Sequence, residues 1–198
     1  MPQTEPAPDF VPPRIDPARL RPAPPPAPGD AAVATAVDEL ISHVGVWAEI
    51  WQFTVLWAGD LPAPPGGSAR VTVLTAEYDE WGVYVTAAVG RDSGGAAICG
   101  SEIRPYGTPV DELVVVLRCG PDGGPQDASP DSLVVVAPPG TATARALDAD
   151  GRVLAEYPLT DGVVVTPTPP GLASVEVVDG SGDAVDSRAP MGTLDWGE

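Results

Sequence analysis

The chain carries two cysteines, Cys99 and Cys119, one histidine, His43, and no lysine. These counts limit the chemistry before any fold is considered. A structural zinc site needs about four Cys, His or carboxylate ligands, and two thiols with one imidazole supply it poorly. A cysteine nucleophile needs a base beside it, but His43 sits in ELISHVG on the polar side of an apolar helical stripe. The same histidine would have to serve any Ser-His-Asp triad, and no nucleophile elbow is present. A P-loop requires a lysine, so that phosphate chemistry is excluded. No cofactor is implied by any motif.

The remaining candidates are carboxylates, aromatics and the cysteines themselves. Asp79 with Glu80, or Asp111 with Glu112, could form the acid pair of a glycosidase. Each pair falls at an expected turn or strand start, where solvated acids are ordinary. DADG, Asp148 to Gly151, and DGSGD, Asp179 to Asp183, make Asp148, Asp150, Asp179 and Asp183 calcium candidates, because hard cations take clustered carboxylate oxygens. Neither loop has a distal bidentate glutamate, and Asp and Gly are also what tight hairpins require. Trp47, Trp51, Phe53 and Trp57 recur at odd positions of VWAEIWQFTVLWAG. On one strand face they would either be buried in a core or offer flat surfaces to a sugar or a partner protein.

The cysteines belong to ICGSEIRPYGTPVDELVVVLRCG. Read as a hairpin symmetric about its loop, this stretch makes Cys99 and Cys119 cross-strand neighbours, able to reach disulfide geometry at a Cα separation of about 5.5 Å. The alternative is two buried reduced thiols in a cytosolic protein.

These groups must be positioned by the elements around them. Residues 1–29 hold eleven of the 26 prolines, which fix φ and remove backbone donors, so an extended, disordered linker is expected. Asp30 can cap AAVATAVDELISHVG, where Val33, Val37, Leu40, Ile41 and Val44 repeat at helical spacing before Gly45, so a helix is expected. Beyond it the period changes to two. VWAEIWQFTVLWAG is a strand, RVTVLTAEY and WGVYVTAAV a hairpin across Asp79 and Glu80, and AAICGSEI and DELVVVLRC a second hairpin. Residues 30–120 are therefore read as an α+β domain, one helix on an antiparallel sheet.

GPDGGPQDASPD gives a connecting loop over 121–131. SLVVVA, ATARALD, RVLAEY, GVVVT, ASVEVVD and DAVDS follow, separated by PPG, DADG, TDG, PPG and DGSG turns. This spacing predicts a small all-β, Ig-like sandwich over 132–188, with a tail at 189–198. PPGTATARALDADGRVL from Pro138 and PPGLASVEVVDGSGDAV from Pro169 align without gaps. The sandwich is thus expected to contain two hairpin repeats packed face to face.

The net charge of −18, from 28 acids against ten arginines, repels phosphate backbones and anionic lipid, so no nucleic-acid partner is expected. No run reaches the roughly 18 apolar residues of a membrane span. MPQTEPAPDF has neither the basic nor the apolar region of a signal peptide, leaving either a cytosolic chain or one whose export segment lies upstream.

The proline-rich leader, the helix, VLWAGDLP, the ICG and LRCG cysteine context and ARALDADGRVLAEYPLTDG resemble exported domains of uncharacterised actinobacterial envelope proteins. The two repeat units resemble prealbumin-like or Ig-like accessory sandwiches of secreted proteins. The resemblance implies an extracytoplasmic binding or structural module without catalysis, presented on its proline-rich spacer and contacting a protein or envelope polysaccharide. A carboxylate-dependent hydrolase of envelope polysaccharide and a cytosolic interaction domain are the alternatives.

Overall fold

The computed structural model describes residues 50–61, 69–78, 82–91, 96–104, 109, 112–119 and 132–191. They form eleven strands: β1 Ile50–Leu61, β2 Ala69–Tyr78, β3 Gly82–Arg91, β4 Ala96–Arg104, β5 Val115–Cys119, β6 Ser132–Val136, β7 Thr141–Leu147, β8 Val153–Pro158, β9 Val163–Pro167, β10 Ser174–Asp179 and β11 Ala184–Arg188. All named pairings are antiparallel. A first sheet runs β1-β2-β3-β4, a middle sheet β5-β6-β9 and an outer sheet β11-β10-β7-β8.

The α+β expectation is overturned, since the described residues are all β with no α-helix among them. Segment 30–45, read as a helix, lies outside the described residues. One face of the first sheet packs instead on the middle sheet. Val71, Val73, Val85 and Ala87, alternating along β2 and β3, meet Val115, Leu117, Val134 and Val136. The opposite face of the middle sheet, Val114, Val116, Leu133 and Val135, meets Ala144, Val175 and Val177 of the outer sheet. A strand covered on both faces has no polar alternation to keep. That is why LVVVL and SLVVV read as unbroken apolar runs.

A β-sandwich is present over the C-terminal half, but its inner sheet is completed by β5, from the other side of the 121–131 connection. The connection itself lies outside the described residues; the strands flanking it are hydrogen-bonded neighbours, Val115 opposite Val136 and Cys119 opposite Ser132. The two hairpin repeats lie side by side in the outer sheet instead of face to face, because β10 pairs with β7. Equivalent positions of the repeats, Arg145 and Glu176, face each other across that pairing. The neighbours on each side, Ala144 with Val177 and Ala146 with Val175, exchange under a local twofold through this pair. Arg145 donates to Glu176 at 3.1 Å and to Glu156 at 2.8 Å.

The hairpin expected between β4 and β5 is also corrected, since these strands belong to different sheets. They run antiparallel along a seam held at both ends. Cys99 and Cys119 form a disulfide with Cα atoms 5.1 Å apart. Five residues further along β4, Arg104 donates from Nη2 to the carbonyl of Val114 at 2.9 Å. The Val116 carbonyl, next along the outer edge of β5, accepts the Met191 amide at 2.8 Å. Two carbonyls of an edge that would otherwise offer free backbone groups are thereby paired.

Candidate functional site

Of the expected aromatic stripe, Trp57 is the member whose side chain is described, and it does not share a face with Val55. Val55 lies opposite Leu74 whereas Trp57 lies opposite Val73, with a register shift between them. Adjacent residues of β2 point to opposite faces of the sheet, so this bulge sends Val55 and Trp57 to opposite sides. It also lets consecutive Leu56 and Trp57 enter the same core cluster. Trp57 is 5% exposed, and its indole ring lies back over Gly59, where any Cβ would collide with it. Trp47 and the side chains of Trp51 and Phe53 lie outside the described residues.

Around Trp57 the three layers leave a cleft of about 330 Å³. Its floor is Leu56 and Trp57 of β1 with Val136 of β6 and Val163 of β9, and its rim is the Pro139–Thr141 turn entering β7 and the Asp161–Gly162 turn entering β9. Both rim turns follow from their residues. Thr160 and Val163 exchange amide hydrogen bonds at 3.0 and 2.9 Å, and Asp161 and Gly162 between them have φ of 52° and 79°. That is the two-residue type I′ turn, for which Asp-Gly is a preferred sequence. Gly162 is fixed further by β6: its carbonyl accepts the Ala137 amide at 2.8 Å, and a Cβ there would stand 2.5 Å from the Ala137 carbonyl oxygen. On the other rim, the Thr141 hydroxyl and amide both donate to the Pro138 carbonyl, at 2.7 and 3.3 Å.

The calcium candidates are placed in equivalent turns. Asp148 Oδ1 accepts the amides of Asp150 and Arg152 at 2.9 and 2.8 Å. Asp179 Oδ1 accepts the amides of Ser181 and Asp183 at 2.9 and 3.0 Å, and the Ser181 hydroxyl at 2.7 Å. The Ser181 hydroxyl and the Asp183 and Ser181 amides hold the Asp179 carboxyl below its ordinary range. The two leading aspartates thus each spend Oδ1 closing the hairpins. Asp150 pairs with Arg152 at 2.6 Å. Among the described residues no three metal-ligating side chains converge.

Of the paired acids, Glu112 is exposed, and Asp79, Glu80, Asp111 and His43 lie outside the described residues. An acid that the sequence reading passed over is Glu102, half-buried beside Arg104. Burial pushes its carboxyl up, against the opposing pull of the Arg104 guanidinium.

The site that emerges is therefore the Trp57 cleft, on a three-layer antiparallel β-protein with a disulfide between its first and middle sheets. Comparison with protein-family models, with curated proteins and with solved structures gives no match. Of the cleft residues only Trp57 stood out in the sequence. Ala137 and Thr141 flank the turn between β6 and β7 and Asp161 comes from the turn between β8 and β9, and the TDG signal marked a turn without saying what it faces.

Proposed function

We propose that this chain is a non-enzymatic extracytoplasmic binding module whose ligand site is the Trp57 cleft. The observation that carries the compartment is the Cys99–Cys119 disulfide, since such bonds form and persist in oxidising surroundings and are rare in the cytosol. A cleft with an apolar floor, a polar rim and turns of fixed geometry has the form in which small ligands are held. The resemblance to exported envelope domains agrees with this assignment, and the proline-rich residues 1–29 would serve as its spacer.

The test is the mass of the native-source protein after alkylation under denaturing conditions, with and without prior reduction, together with cell fractionation. Both cysteines labelled only after reduction, in protein recovered outside the cytoplasm, is the expected result. Two labels without reduction, in a cytoplasmic pool, would overturn the compartment.

A further inference from the structure

We infer that the cleft takes a small organic cation, an ammonium or guanidinium on an apolar body, with Asp161 as its counter-ion. This rests on the reading of the cleft as the ligand site and names the class of ligand. Four of the donors around the rim are already committed. The Ala137 amide goes to the Gly162 carbonyl, the Thr141 amide to Pro138 and the Val163 amide to Thr160. The Thr141 hydroxyl also goes to Pro138, and Pro139 has no N–H.

Among the described residues the rim's one charged side chain is the exposed carboxylate of Asp161. No hydrogen bond or ion pair engages it among the described residues. Its turn is held from both sides, by the Thr160–Val163 bridge and by Ala137. The carboxylate's backbone is therefore in place before a ligand arrives, which lowers the ordering cost of binding. The field of a chain with net charge −18 draws cations toward it. The floor of Leu56, Trp57, Val136 and Val163 requires an apolar body, and about 330 Å³ is at the small end of ligand sites, room for a body of about one ring.

The experiment is a titration of the full, oxidised chain followed by amide chemical shifts at low ionic strength, with three probes of one shape: phenethylammonium, phenethyl alcohol and phenylacetate. Phenethylammonium should give saturable shifts at Ala137, Gly140 and Gly162. Phenethyl alcohol should bind about threefold more weakly, as expected for losing one exposed charge pair, and phenylacetate more weakly still. Asp161→Asn, which keeps a residue tolerant of the left-handed conformation, should bring the ammonium to the level of the alcohol. An alcohol that binds as tightly as the ammonium, or an ammonium indifferent to Asp161→Asn, would overturn the cation assignment and leave a neutral-ligand cleft. Failure of all three probes to move these amides would remove the cleft as the ligand site, and the inference with it.

Discussion

Reduction of the Cys99–Cys119 disulfide should lower stability by about 3 kcal/mol. The bond closes a loop of sequence separation 20, and releasing a loop of about that length returns roughly 3 kcal/mol of conformational entropy to the unfolded chain at room temperature. The native state has little to offset this, because β4 and β5 share no hydrogen-bonded ladder and belong to separate sheets. Both cysteines are buried in the core between the first and middle sheets, so the reduced thiols stay packed and the loss is mainly that of the cross-link. For a chain of this size the change corresponds to a fall in melting temperature of roughly 6–12 °C. Urea denaturation followed by circular dichroism, with and without reductant, measures it. The denaturant slope should rise on reduction, since the unlinked unfolded chain exposes more surface. Native-state hydrogen exchange should speed up first in β4 and β5. A melting temperature that falls by less than about 2 °C, with an unchanged slope, would refute the reasoning. It would mean either that the bond is absent in solution or that other contacts hold the seam.

Gly162→Ala should cost about 3 kcal/mol, since it adds a Cβ at positive φ and displaces the Ala137 carbonyl; equilibrium unfolding checks this, and cost below about 1 kcal/mol would mean the turn has room to shift. Arg104→Met removes a buried guanidinium from Glu102 and from the Val114 carbonyl, for a loss of about 3 kcal/mol, and adding Glu102→Leu should recover part of it in the same assay. Arg145→Glu or Glu176→Arg alone should lower the melting temperature by setting like charges opposite each other, whereas the double exchange should recover only part of it, because the carboxylate then at position 145 faces Glu156. Because the Asp179 carboxyl is held low in the fold, its stabilising contribution is full above the unfolded carboxyl range and is lost as pH falls through the folded value. Asp179→Asn should therefore flatten the acid limb of the urea midpoint plotted against pH.

The C-terminal strands were legible because their turns are short and chemically explicit: DADG, TDG and DGSG bracket β7 to β11, and each strand begins within a few residues of its expected start. The disulfide was legible for a related reason. Antiparallel approach about a loop places Cys99 near Cys119 and Arg104 near Val114 whether or not the strands share a ladder, so the pair was right while the hairpin was not. What failed depended on the third dimension. LVVVL and SLVVV announce burial on both faces, but they do not say that the two runs belong to one sheet. The bulge between Val55 and Trp57 leaves no mark in a sequence whose apolar residues continue on both sides of it. The Trp57 cleft could not be read because its walls come from four strands and two turns, and each turn is fully explained by its local residues.

The middle sheet also sets an order of events during synthesis. β6 finds β5 on one side early, but its other neighbour, β9, is made only after the whole of the β7–β8 hairpin. Until Val163 to Pro167 leave the ribosome, the nascent chain carries two valine-rich strands with one edge open and a face uncovered. Such segments pair readily with copies of themselves. Non-local pairing is also slow to form. A chain arrested between Pro158 and Val163 should therefore aggregate, whereas one extended past β11 should remain soluble, and a holding chaperone would matter most over that short interval.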